Sequence, residues 1–161
     1  MNDETINDLL NYNNIKIYQN KNYFNFSLDS ILLPNFVQLN KNINKILDLC
    51  TGNIPVPLVL STKTDAKIYA VEIQKEIYEL ALKTLRINKL ENKIVLINDD
   101  AKNAINNFET DSFDLITCNP PYFKCTDKSI KNDNKIKSIA RHEIMITLED
   151  IIIMSKKLLK N

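Results

Sequence analysis

Ile116-Thr117-Cys118-Asn119-Pro120-Pro121-Tyr122-Phe123 closes an apolar run, Phe113 to Thr117, that reads as a buried strand. The two prolines end that strand. Each removes a backbone donor and fixes φ, so the chain leaves the strand extended and stiff. In an open α/β sheet, ligands bind at the carboxyl edge of the strands. A side-chain amide, a rigid turn and an aromatic ring are therefore presented together at the mouth of a candidate site.

Upstream, strand and turn alternate three more times. Lys45 to Leu49 reads as the first strand of a main sheet. The turn Thr51-Gly52-Asn53 follows, then a helix from Pro55 to Leu60, where proline is tolerated in the first turn. Ile68 to Val71 and Lys93 to Ile97 read as the second and third strands. A helix from Lys75 to Leu90 lies between them, apolar at Ile77, Leu80, Ala81, Leu85 and Leu90. A short helix, Ala101 to Phe108, leads to the fourth strand at Phe113. This alternation predicts an α/β fold built on a parallel, doubly wound sheet.

Each strand end carries chemistry. Asp48-Leu49-Cys50-Thr51-Gly52-Asn53 is a turn that can approach a ligand closely, and its acid can bind an ammonium or water. Glu72 ends the second strand, twenty residues after Gly52. A carboxylate there can accept both ribose hydroxyls of an adenosine. Asp99-Asp100-Ala101 ends the third strand, where a carboxylate can accept from an adenine amine. Asp100 is favoured by position, with Asp99 as its solvent-facing neighbour, and either can cap the next helix. Three acids at three strand ends, with Asn119 at the fourth, point to one crevice.

The flanks carry less information. Ile6, Leu9 and Leu10 predict a short helix within residues 3–12, and Ile15-Lys16-Ile17-Tyr18 alternates like a strand. Phe24 to Leu33 leads into a helix capped by Ser27 or Asp29, with Pro34 inside. Phe123 to Ser138 is polar and lysine-rich and reads as a mobile loop. Thr147-Leu148-Glu149-Asp150 opens a last helix with a capping-box pattern and a buried stripe of Leu148, Ile151, Ile152, Leu158 and Leu159. The chain reads as one structural domain. Residues 1–40 form a helix/strand cap that completes the site over a core of residues 41–161.

The chain has 161 residues, 44% of them hydrophobic, and a formal net charge of +1. That suffices for one domain with a real core. No apolar run reaches membrane-spanning length, and the polar N-terminus shows no signal peptide. Cys50, Cys118 and Cys125 are odd in number and lack metal-ligand spacing, with only His142 to join them. They read as reduced thiols of a cytoplasmic protein, with no metal site expected. The charge argues against a strongly basic nucleic-acid binder but leaves room for a local basic patch. With a single glycine in the chain, asparagines are expected at many left-handed turn positions.

Asn119-Pro120-Pro121-Tyr122 resembles the signature of amino-methyltransferases that use S-adenosylmethionine. Further stretches follow in order: Phe24-x-Phe26-Ser27-x-Asp29-Ser30-x-Leu32-Leu33, Asp48 to Asn53, Val71-Glu72-Ile73-Gln74, Asn98-Asp99-Asp100 and Ala140-Arg141-His142-Glu143. Together they resemble the bacterial tRNA adenine-N6 methyltransferases acting at position 37 of a valine tRNA. The resemblance runs from about residue 5 to the end of the chain. It implies a Rossmann-like class I methyltransferase, S-adenosylmethionine as methyl donor and an anticodon-loop adenine as acceptor. Carried onto this chain, the cofactor residues are Phe26, Asp29, Leu32, Asp48, Cys50, Thr51, Gly52, Asn53, Glu72, Ile73, Asp100, Ala101 and Asn119. Asn119, Pro120, Pro121 and Tyr122 form the catalytic target-base site. Phosphate contacts to tRNA fall to Lys124, Lys128, Lys131, Lys135, Lys137 and Arg141, with Phe123 supporting the base.

Two departures accompany the resemblance. The usual first turn runs roughly Asp-x-Gly-x-Gly-x-Gly, whereas here Cys50 and Ile54 stand at glycine positions. The family pattern also continues through a fifth strand, a helix and a final hairpin beyond Asn161. The expectation is a shortened chain lacking the last strands, with an unpaired edge and an uncovered face at the fourth strand. Two alternatives share these features: a DNA-adenine or glutamine N-methyltransferase, and a non-catalytic relic that binds cofactor or RNA.

Overall fold

The computed structural model describes residues 3–9, 11–23, 26–120 and 146–160. The chain opens with an antiparallel hairpin of β1 (Glu4–Leu9) and β2 (Tyr12–Asn20), with a bulge between Asp8 and Leu9. The helix expected across residues 3–12 is therefore a strand. Ile6 and Leu9 fit helical spacing, but Ile6 is half exposed and only Leu9 is buried. Asn11, at φ 64°, makes the turn instead, and cross-strand pairing outweighs the weak helical pattern of so short a segment.

The main sheet contains β3 (Lys45–Leu49), β4 (Lys67–Glu72), β5 (Ile94–Asn98) and β6 (Leu115–Cys118), all parallel. Their spatial order is β5-β4-β3-β6. The order reverses at β3, which puts a switch point between β3 and β6. Both faces are covered. The hairpin, α1 (Asp29–Phe36), α2 (Pro55–Ser61) and α3 (Lys75–Ile87) pack on one face around Ile17, Ile46, Leu58, Leu60 and Ile68. On the other face, α4 (Ala101–Ala104) and α5 (Leu148–Leu158) pack around Leu47, Leu49, Phe113, Met154 and Leu158.

Element ends depart from expectation for local reasons. α3 stops at Ile87 rather than Leu90 because Lys89 turns left-handed at φ 57°. The Leu90 N–H then bonds the Leu85 carbonyl and the Lys89 N–H the Arg86 carbonyl, a Schellman closure that ends the helix. The segment expected as a helix to Phe108 is one α-turn followed by a 3₁₀ turn at Ile105–Asn107. α1 takes no side-chain cap; Leu28 precedes it, and neither Ser27 nor Asp29 caps it. α5 has the expected capping box between Thr147 and Asp150, but its buried residues are Ile151, Met154 and Leu158. Leu148 and Ile152 are exposed.

The edge expected to lie open beside the fourth strand is closed at its start. Phe113 makes a parallel bridge with Leu159, and the Lys160 N–H donates to the Phe113 carbonyl at 2.9 Å. On one face of β6, Ile116 and Cys118 share a cluster with the expected last helix, α5. Of the left-handed non-glycine residues among those described, Asn11, Cys50, Ile54, Lys89 and Asp111, only one is asparagine. The expected substitution of asparagine for glycine is thus corrected. Among the described residues no helix is long and apolar enough to cross a membrane.

Candidate cofactor and target-base site

The carboxyl ends of the four parallel strands open onto one cavity with about 990 Å³ of open space, its mouth included. Its wall contains Asp48 and the turn from Cys50 to Asn53 after β3, Glu72 to Gln74 after β4, Asp99 to Ala101 after β5, and Asn119 after β6. Phe26 and Ser30 reach it from the N-terminal segment.

The first turn owes its shape to three left-handed residues in alternation. Cys50, Gly52 and Ile54 have φ values of 55°, 59° and 65°. These are the three positions where the sequence pattern calls for glycine. The backbone geometry persists although two of the three carry side chains. Ile54 tolerates this because it is fully buried, so packing offsets a conformation disfavoured for a β-branched residue.

Two buried carboxylates shape the electrostatics. Asp48 is 1% exposed. Its Oδ2 accepts from the Thr51 hydroxyl at 2.5 Å and its Oδ1 from the Thr117 hydroxyl at 2.6 Å. Burial pushes its pKa up to about 7, against the two threonine bonds, and neighbouring Glu72 adds to the rise. Glu72 is 5% exposed. Its Oε2 accepts from the Gly52 N–H and its Oε1 from the Gln74 N–H, both at 2.9 Å. Burial raises its pKa as well, against those backbone bonds. Both acids sit where a positively charged ligand relieves an unfavourable burial.

Asp100 caps α4, its side chain accepting from the Lys102 N–H at 2.9 Å. Asp99 receives the Asp100 N–H at 2.7 Å and also lines the cavity, so it is no solvent-facing bystander. Cys50 and Cys118 are free thiols on adjacent strand ends. The hydrogen bond to Cys50, then burial, push the Cys118 thiol well up and hold it neutral. Among the described residues no group of three or more acids, histidines or cysteines could hold a metal.

The structure gathers Phe26, Asp48, Cys50, Thr51, Gly52, Asn53, Glu72, Ile73, Asp100, Ala101 and Asn119 around this cavity. It puts Asp29 and Leu32 outside its wall. In α1 the inward face carries Ser30, four residues after Phe26, and Leu32 is turned 54% to solvent. Pro120 follows Asn119 but is not part of the wall. Pro121, Tyr122, Phe123, Lys124, Lys128, Lys131, Lys135, Lys137, Arg141 and His142 lie outside the described residues. Ser30 and Gln74 stand in the matching stretches quoted from the sequence but were not singled out, Asp99 was set aside in favour of Asp100, and Pro55, Val56, Ile77 and Ile146 were missed.

Comparison with known proteins agrees with this geometry. The profile described as the methyltransferase small domain matches residues 27–155. A tRNA1(Val) (adenine(37)-N6)-methyltransferase of Pseudoalteromonas translucida is 32% identical over 133 residues, covering 82% of this chain and 54% of the relative. One from Cytophaga hutchinsonii is 27% identical, covering 96% of this chain and 63% of the relative. A release factor glutamine methyltransferase of Thermodesulfovibrio yellowstonii is 30% identical, covering 73% of this chain and 41% of the relative. This chain therefore spans little more than half the length of the adenine-N6 relatives. Among solved structures, an Agrobacterium tumefaciens S-adenosylmethionine-dependent methyltransferase aligns with a TM-score of 0.65 at 18% identity, over 99% of this chain and 50% of that one. That likeness is one of fold. With the profile spanning most of its length, the chain belongs to the methyltransferase small domain family.

Proposed function

We propose that this chain is an S-adenosylmethionine-dependent methyltransferase acting on the exocyclic amine of an adenine in tRNA, at position 37 of a valine tRNA. The observation that carries the reading is the convergence of Asp48, Glu72, Asp100 and Asn119, from four strand ends, on one cavity. The names of the adenine-N6 relatives supply the substrate. A cytoplasmic setting is part of this proposal.

The residues present fit this donor. Glu72 and Asp100 offer acceptors for ribose hydroxyls and an adenine amine, and Ile73 and Ile77 offer apolar walls for the purine. Asp48 and Glu72 favour a cation. When bound, S-adenosylmethionine supplies an electrophilic methyl group on a positively charged sulfur.

The chain's own task is positioning. An adenine amine is a poor nucleophile because its lone pair is delocalised into the ring. The Asn119 side-chain oxygen and the Pro120 carbonyl each accept one of its hydrogens, which favours a tetrahedral nitrogen with a localised lone pair. Tyr122 stacks on the extracted base. The lysines of 124–137 and Arg141 hold the RNA through phosphates, so its affinity falls with added salt.

Transfer of a tritiated methyl group to unmodified valine tRNA, with nuclease mapping, tests the reading. Wild type should label an anticodon-loop adenine. Asn119→Ala should lose transfer by about a hundredfold or more, in the range for removing a group aimed at the transition state, while cofactor affinity stays within about threefold. Labelling of a release-factor glutamine peptide but not tRNA would favour the glutamine reading, and unchanged turnover in Asn119→Ala would refute the assignment.

A further inference from the structure

Asn119 and Ser30 meet across the cavity although 89 residues separate them in the chain. The Asn119 Nδ2 donates to the Ser30 Oγ at 3.0 Å. We propose that Ser30 is the positioning residue that holds the Asn119 amide by its nitrogen, with the oxygen free to face the target amine. This role rests on the amine-methylation reading above.

An asparagine amide presents an acceptor at one end and two donors at the other, and a half-turn about its last torsion exchanges them. Only the acceptor end can receive a hydrogen from an amine; the flipped amide would set donors against donors. The backbone at Asn119 is already fixed. β6 pairs with β3 up to Cys118, and Thr117 is tied to Asp48. The side-chain torsion is what remains to be set. Ser30 sets it by engaging the nitrogen end, leaving Oδ1 without a hydrogen-bond partner among the described residues.

Ser30 is itself well held. It is 5% exposed in the first turn of α1, its N–H bonded to the Ser27 carbonyl at 3.1 Å. The far end of α1 is pinned by Lys63, whose Nζ donates to the Pro34 carbonyl at 3.0 Å and to Asn35 Oδ1 at 2.7 Å. A hydroxyl so placed holds the amide nitrogen at 3.0 Å from a fixed point.

The test uses the full chain, S-adenosylmethionine and an unmodified valine tRNA transcript. Ser30→Ala should lower kcat about tenfold, the worth of one neutral hydrogen bond in orienting the amide. Cofactor affinity by calorimetry and KM for RNA should stay within twofold. Ser30→Thr, which keeps the hydroxyl, should recover most of kcat. Independently of turnover, the Asn119 side-chain amide resonances, identified by their loss in Asn119→Ala, should shift in Ser30→Ala and not in Ser30→Thr. Turnover of Ser30→Ala within twofold of wild type, or unmoved amide resonances, overturns the role. A drop in cofactor affinity that accounts for the lost rate reassigns Ser30 to donor binding and also overturns it. A wild-type chain that binds the cofactor yet methylates no amine overturns the functional reading, and this role with it.

Discussion

The Thr117 hydroxyl donates to Asp48 Oδ1 at 2.6 Å, joining the strand that ends in Asn119 to the strand that ends in the first turn. Thr51 donates to the other oxygen. One buried carboxylate thus ties both halves of the site together, in a setting that raises its pKa to about 7.

That rise has a sign. Asp48 titrates near 3.8 when unfolded and about 7 when folded, so between those values the folded state holds more protons. Its contribution to stability is present below about pH 3.8, declines as pH rises toward 7, and is flat above. Urea unfolding of wild type and Asp48→Asn from pH 5 to 8.5 checks this. The stability difference, wild type minus variant, should fall from pH 5 to about 7 and then level off. Glu72 shifts in the same direction but is common to both proteins.

Binding a cation beside these acids should expel a proton. S-adenosylmethionine affinity is therefore expected to rise with pH up to about 7, by at most about tenfold per pH unit for one proton. The demethylated product, which lacks the sulfonium charge, should show a shallower rise. Calorimetry in buffers of different ionisation enthalpy measures the released proton directly. Equal pH slopes for the two ligands would contradict the expectation.

Cys50 stands at φ 55° where glycine is at ease. Cys50→Gly should be more stable than Cys50→Ala by about 1 kcal/mol, because alanine keeps the left-handed strain and glycine releases it. Both variants lose the thiol contact to Cys118, so denaturant midpoints of the pair isolate the backbone effect.

Asn88 bolts the hairpin to α3. Its Oδ1 accepts from the Lys16 N–H at 2.9 Å, and its Nδ2 donates to the Lys16 and Thr84 carbonyls at 2.6 and 2.7 Å. Asn88→Ala leaves half-buried backbone groups of β2 unpaired and should cost about 1–3 kcal/mol. Amide exchange at Lys16 should accelerate while exchange in β3 and β4 changes only with global stability.

Lys45 extends its ammonium over three rings, 5.2 Å from the Tyr69 centroid, 5.8 Å from Phe108 and 4.6 Å from Phe113. The rings stand edge-to-face to one another. Lys45→Met keeps the length and removes the charge. It should destabilise by about 1 kcal/mol, the scale of a partly exposed cation–π contact, as thermal unfolding would show.

Much of the sheet was legible in the chain. The four parallel strands sit within two residues of their apolar runs, because β-segments buried on both faces must be continuously hydrophobic. The acids at their ends were legible too, because a strand's carboxyl end is a local feature. Of the N-terminal hairpin, the second strand was legible at Ile15 to Tyr18 and the first was not, since three apolar residues fit a helix face and a strand edge equally well. The left-handed geometry at Cys50 and Ile54 was marked only by their standing at glycine positions; at Ile54 complete burial sustains it.

By itself the sequence determined which groups stand at which strand ends, since hydrophobic runs and proline turns act over a few residues. Only the tertiary structure decided which of those groups touch. Thr117 reaches Asp48 across 69 residues and Asn119 reaches Ser30 across 89. Both contacts depend on β6 lying beside β3 and on α1 folding over their ends. Strand order of that kind arises from how complete layers bury their faces, which no short stretch of residues encodes.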